Sequence, residues 1–245
     1  MILLIADSVC GGFGQTGKKS FVHYSLEAKN INIWDHSASG MSTELYRQFL
    51  KTGVKISKEQ HDLYNKSESF ACVVIALGNV DSKGCFQNNN ILSKFVPQRY
   101  RAEKIDARPY YSTKSFKKIM QLSENTVRMF FRYYLFHTGN LTSKVSYNQM
   151  ESNVIALLDK HSGSKIILIS PSCISDRLFP GSFLRFEKLN KLLVKLSSRE
   201  NVSYFDMRSK LNKSYLMEDE FHLNQQGHQF LKDKFGVHYK TVMAK

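Results

Sequence analysis

Five short apolar runs recur along the chain, at residues 2–5, 31–34, 72–77, 166–169 and 202–205, most of them rich in β-branched or aromatic side chains. Runs of that length read as parallel strands covered on both faces. Between them lie stretches with helical spacing. In 43–50, Leu45, Tyr46, Phe49 and Leu50 fall on one face, and in 183–196 Phe186, Leu189, Leu192, Leu193 and Leu196 do the same. Residues 145–158 and 225–235 are further helix candidates. Strands alternating with helices predict a doubly wound α/β sheet, whose ligands sit beyond the carboxyl ends of the strands. Ser8, Gly40, Gly78 and the residues after Ile169 all fall at such ends or in the loops beyond them. The stretch 83–142 breaks the rhythm. It is too long for an ordinary connection and reads as an insertion with its own helices, one of them around 127–136, that covers the site. The expected organisation is one domain, 1–245, carrying a helical and basic insertion at about 83–142.

The first run ends in Ala6-Asp7-Ser8, and the far end of the chain offers Asp219-Glu220-Phe221-His222. A hydroxyl is a poor nucleophile at neutral pH and needs a general base within hydrogen-bond reach. An imidazole serves when a carboxylate fixes its tautomer and stabilises the imidazolium. A three-residue separation on a turn lets Asp219 fold back to the His222 ring, and residues 223–231 read as a helix that holds the turn rigid. Ser8, His222 and Asp219 are the candidate nucleophile, base and orienting carboxylate. Two plainer readings stay open: Ser8 as a helix or turn cap, and an acidic loop bearing a surface histidine.

Other chemistries fit less well. Residues 12–18 meet the G-x-x-x-x-G-K spacing of a phosphate loop, but Lys19 stands where a Ser or Thr should hold magnesium. The elbow G-x-S-x-G of the α/β-hydrolases is absent. Cys10, Cys72, Cys85 and Cys173 are widely spread and read as reduced thiols. His23, His36, His61, His137, His161 and His238 form no ligand spacing. Neither a metal nor a cofactor is expected.

Four blocks together resemble the SGNH (GDSL-like) hydrolase superfamily. They are Ala6-Asp7-Ser8, Ser37-Ala38-Ser39-Gly40, Gly78-Asn79-Val80-Asp81, and Asp219-x-x-His222-Leu223-Asn224-x-x-Gly227-His228. Their order and rough spacing match, and they frame nearly the whole chain. The resemblance implies a three-layer α/β/α sandwich on a mainly parallel five-stranded sheet, flavodoxin-like in plan. It also implies that Ser8 is the nucleophile, His222 the base and Asp219 its orienter. The oxyanion donors would be the N–H groups of Ser8 and Gly40. In the third block the family's donor Asn aligns with Val80, and Asn79, one residue earlier, is the oxyanion or substrate-binding candidate in its place. The Gly-x-Val-Asp variant, with Pro171 and Phe186-Glu187-Lys188-Leu189-Asn190, resembles a branch tied to bacterial surface-polysaccharide gene clusters. The activity implied is an esterase or O-acyltransferase acting on O-acyl, chiefly acetyl, groups of a carbohydrate. The alternative is a weak or inactive relative that binds glycan or a partner in polysaccharide biosynthesis.

The net charge of +14 is the one unusual bulk property. It fits an acidic substrate or an anionic membrane surface. Arg99, Arg101, Lys104, Arg108, Lys114, Lys117 and Lys118 concentrate in 99–118, interleaved with Tyr100, Tyr110 and Tyr111. Such mixtures bind single-stranded nucleic acid, but no nucleic-acid-binding signature accompanies them. A sugar-acid chain is the better expectation. With no signal-like or membrane-spanning run, a reducing, cytoplasmic setting of bacterial type is expected.

Overall fold

The computed structural model describes residues 1–13, 19–52, 70–86, 95–98, 106, 109–172 and 176–244. Five strands form one parallel sheet: β1 (Ile2–Ala6), β2 (Ile33–Asp35), β3 (Cys72–Ala76), β6 (Lys165–Ile169) and β7 (Val202–Phe205). Their order is β2-β1-β3-β6-β7, the doubly wound architecture expected. β1 is an interior strand beside the central β3, paired with it along its whole length, from Ile2 opposite Cys72 to Ala6 opposite Ala76, and over three residues with β2.

The period of two along each strand divides the core in half. Ile2, Leu4, Cys72, Val74, Ile167 and Ile169 face one side, where they pack with Phe21, Leu26, Phe235 and Tyr239. Those partners come from α1 (Phe21–Glu27) and α7 (Gln225–Met243). Leu3, Ile5, Val73, Ile75, Ile166 and Leu168 face the other side. There they meet Tyr46 and Phe49 of α2 (Thr43–Thr52), Met150 and Leu157 of α5 (Tyr147–Lys160), and Leu189 and Leu193 of α6 (Phe183–Leu196). The result is the three-layer α/β/α sandwich.

α1 has no counterpart in the sequence reading. It is seven residues long and its start is marked by Ser20 with a histidine, not an acid, at the third position: Ser20 N–H donates to His23 Nδ1 at 3.2 Å. α7 runs eight residues past the expected end at 235, to Met243, because Tyr239 and Val242 continue its buried face.

Within 83–142 the chain forms a short antiparallel pair, β4 (Gly84–Phe86) with β5 (Leu141–Ser143), and the long helix α4 (Ser115–His137). The pair closes the base of the stretch, and a small core of Val96, Leu135 and Leu141 sits beside it.

After β3 the chain turns at Gly78 into the single-turn helix α3 (Asn79–Ser82). Gly78 has φ +102°, and a Cβ there would stand 2.7 Å from Leu189 Cδ2. Only glycine satisfies both constraints. Gly78→Ala should therefore lower stability by about 1–3 kcal/mol, read as a reduced urea midpoint, and an unchanged midpoint would contradict this packing.

Candidate active site

The strand order reverses between β1 and β3, so the crevice at their carboxyl ends is the place where a doubly wound sheet holds its ligand. Ser8 stands there. Gly11 N–H donates to Asp7 O at 2.8 Å and Phe13 N–H to Ser8 O at 3.2 Å, which curls the chain tightly after β1. A Cβ on Gly11 would come within 2.8 Å of Asp7 O and 3.0 Å of Ser37 Cβ. Glycine thus lets this turn rest directly on the loop after β2.

His222 arrives from the far end of the chain. Leu216 and Leu223 form an antiparallel bridge, Met217 N–H donates to His222 O at 2.7 Å, and Glu220 takes φ +51° at the tip. Asn224 then caps α7: its Oδ1 accepts from Gly227 N–H at 2.9 Å, and its Nδ2 donates to Ser214 O and Leu216 O. A side chain on Gly227 would strike Tyr215 O at 2.3 Å. The turn is thereby fixed at both ends.

Ser8 Oγ lies 2.9 Å from His222 Nε2, and His222 Nδ1 lies 2.6 Å from Asp219 Oδ2. Asp219 Oδ1 accepts from the N–H groups of Phe221 and His222 at 3.1 and 3.0 Å. Every acceptor position needed to hold the carboxylate still is used, and Asp219 is 2% exposed. Phe13 and Phe221, which the sequence reading passed over, enclose the imidazole: the ring centroids lie 4.5 Å and 4.8 Å from it. Phe13 sits beside the glycines that suggested a phosphate loop, and residues 14–18 of that motif lie outside the described residues.

Gly40 (φ +76°) ends the loop after β2, with Ala38 N–H bonded to Ala6 O at 3.1 Å. Among the described residues, neither Ser8 N–H nor Gly40 N–H is taken by another group. Asn79 is engaged at its carbonyl oxygen. It is 2% exposed, and its Oδ1 accepts from Ser172 N–H at 3.2 Å, which ties the β3 loop to the loop after β6. Val80, which follows, offers only methyl groups.

Two further carboxylates are buried around the crevice. Asp81 Oδ2 accepts from Thr43 N–H at 2.9 Å and Oδ1 from the Thr43 hydroxyl at 3.2 Å, so it anchors the start of α2 just beyond Gly40. Burial raises it to about 6 against the lowering effect of Thr43. Asp7 is fully buried. Its Oδ1 accepts from Val9 N–H at 3.0 Å, and its Oδ2 has no partner at bonding distance. Burial pushes Asp7 up to about 7, opposed by the Asn79 side chain, Val9 N–H and the His222 imidazole.

The other histidines are engaged elsewhere. His23 Nε2 pairs with Asp35 at 2.9 Å, and His36 is buried against Tyr46 OH at 3.2 Å. His228 accepts from Phe21 N–H at 3.2 Å, and burial lowers it to about 4. Among the described residues no group of three His, Cys, Asp or Glu is placed to hold a metal ion.

Of the basic segment, Arg99, Arg101, Lys104, Arg108 and Tyr100 lie outside the described residues. Asp106 is held between Lys83 and Arg132, the latter at 2.6 Å. Burial acts to raise Asp106, and the two cations outweigh it and hold the carboxyl below its ordinary range. Arg132 also lies over the Phe179 ring, 4.6 Å from its centroid. Pro109 O accepts from Glu218 N–H at 3.1 Å, so this segment touches the turn that carries Asp219.

No protein-family model matches the chain, and no curated protein sequence matches it. Solved structures do. A lipase/acylhydrolase from Enterococcus faecalis matches with a TM-score of 0.57 at 16% identity, over 98% of this chain and 95% of its own. An acetylxylan esterase from Geobacillus stearothermophilus matches with a TM-score of 0.53 at 14% identity, over 96% and 91%. A member of the lipolytic G-D-S-L family from Veillonella parvula gives 0.56 at 12% identity, over 95% and 94%. The chain therefore has the fold of these α/β hydrolytic proteins.

The Asp7 environment has a measurable consequence. A carboxyl raised by burial stabilises the fold below its unfolded pKa, and that stability is lost as pH rises toward about 7. Asp7→Asn should flatten this dependence. Between pH 4 and 7 the variant should gain on the wild type by up to about 4 kcal/mol in urea unfolding. A pH-independent difference would show that Asp7 is not held in a raised state.

Proposed function

We propose that this chain is a serine esterase of SGNH type that removes or transfers an O-acyl group, chiefly acetyl, on a carbohydrate. The observation that carries the reading is the unbroken chain of short contacts from Ser8 Oγ through the His222 ring to the buried Asp219 carboxylate. The fold shared with an acetylxylan esterase supports the choice of substrate class. His222, held by Asp219 through Nδ1, offers Nε2 to take the Ser8 proton as Oγ attacks the ester carbonyl. The tetrahedral oxyanion is met by the N–H groups of Ser8 and Gly40. The imidazolium returns the proton to the departing sugar oxygen. Water, or a second sugar hydroxyl, is then deprotonated by His222 and releases the acyl group from Ser8. With two oxyanion donors, the rate should lie below that of a three-donor relative, since one donor is worth roughly 10²–10³.

A second reading, a glycan-binding protein of this fold with little turnover, is favoured by one observation. Val80, at the family's donor position, has no donor to offer.

Fluorophosphonate labelling and aryl-acetate turnover separate the two. Ser8→Ala should abolish labelling while the melting midpoint is kept, and His222→Ala should lower turnover by at least about 10³. Asp219→Asn should lower kcat by about 10⁴ at neutral pH through the wrong tautomer. Equal labelling of wild type and Ser8→Ala would remove Ser8 as nucleophile. Labelling of Ser8 without turnover of aryl acetates or acetylated oligosaccharides would favour the second reading.

A further inference from the structure

α4 is amphipathic in the wrong sense for a helix that only covers a core. Its buried positions are Asn125, Arg132 and Leu135, so much of the face toward the protein is polar. At helical spacing Phe116, Ile119, Met120, Val127 and Phe130 lie within an arc of about 100° on the opposite side. They are all exposed, Phe116 at 77% and Phe130 at 66%. Among the described residues nothing covers them. Between Phe116 and Phe130 Ser123 is the polar position within that arc, and an exposed apolar stripe of this kind marks an interaction surface.

The charge around the stripe restricts what can occupy it. Lys114, Lys117 and Lys118 are exposed at its N-terminal end. The helix carries a single carboxylate, Glu124, already paired with Arg128 at 3.0 Å. A second copy of the chain would bring these lysines, and two bodies of charge +14, against each other. An anionic surface would instead attract the basic chain, its lysines standing on the polar side of the helix, while the apolar side chains enter it. The helix cannot span a bilayer, for none among the described residues is long and apolar enough. It has the make-up of one that lies in the interface plane, with aromatic and aliphatic groups sunk below the headgroups and lysines on its polar face.

We propose that α4 docks this protein on the surface of an anionic lipid bilayer through Phe116, Ile119, Met120, Val127 and Phe130. This binding is independent of the esterase reading and would survive its failure. It brings the crevice to membrane-borne substrates, because Arg132 of α4 holds Asp106 and the adjoining Pro109 bonds the turn that bears Asp219.

Vesicle flotation tests the proposal. The full chain should float with vesicles of one part phosphatidylglycerol to two parts phosphatidylcholine, far less with phosphatidylcholine alone, and less at raised ionic strength. The combined variant Phe116→Ser, Ile119→Ser, Phe130→Ser, with its melting midpoint unchanged, should lower the partition coefficient at least about tenfold. Lys117→Gln with Lys118→Gln should lower it about thirtyfold. No phosphatidylglycerol-dependent flotation of the wild type, or flotation unaltered in the triple variant, would overturn the proposal. So would a wild-type dimer in sedimentation that the same triple variant abolishes, since a second copy would then own the stripe.

Discussion

Parallel pairing of β1 with β2 on one edge and β3 on the other fixes where every loop of the candidate site begins. Both faces of β1 are buried, so its register cannot slip without moving the Ile2/Leu4 and Leu3/Ile5 sets to the wrong sides. Ser8 must then leave the sheet between the loops that carry Gly40 and Gly78. The backbone bond from Ala38 N–H to Ala6 O and that from Asp7 N–H to Ala76 O hold those loops against the same strand end. His222 is 214 residues away from Ser8 in sequence, and it reaches the crevice because α7 packs on α1 against the face of that same strand.

Three buried carboxylates surround this junction, and their partners sort their roles. Asp219 receives two backbone N–H groups and the imidazole, an environment suited to a fixed anion beside an imidazolium. Asp81 receives a backbone N–H and a hydroxyl from Thr43 and so acts on the loop of Gly40 at one remove. At Asp7 the Val9 N–H, the Asn79 side chain and the His222 imidazole lower the carboxyl less than burial raises it, so burial dominates. Burial of Asp7 works against a second full negative charge beside Ser8.

The sheet was legible because its strands are short, apolar and bounded, and because the helices that cover it keep a strict face, as 183–196 does to the residue. Ser8, His222 and Asp219 were legible because a strand end and a three-residue turn constrain where side chains point. What depends on tertiary contact was not. α1 is too short to show a period, and the inward turn of Asn79 is decided by Ser172 N–H, 93 residues away. The ring of Phe13 lies over His222 through a turn whose glycines look like those of a phosphate loop. Around 127–136 apolar content gave the helix but not its orientation, for Phe130 points outward while Arg132 points in.

That inversion follows from how α4 is attached. Its inner face is held by the Arg132–Asp106 pair, by Arg128 Nη1 donating to Asp106 O at 2.9 Å, and by Arg132 over Phe179. Charge-assisted bonds in a buried setting are strong and directional, so a few of them position a helix that makes only a small apolar seam with Val96, Leu135 and Leu141. The excess positive charge accordingly has two kinds of member. Lys83 and Arg132 are consumed inside, around one carboxylate. Lys114, Lys117 and Lys118 stay outside with no ion pair among the described residues, next to apolar side chains that the interior did not need. Because the inner face is held by polar bonds, folding places little demand on the outer face, and its hydrophobes require a cause outside the chain's own core.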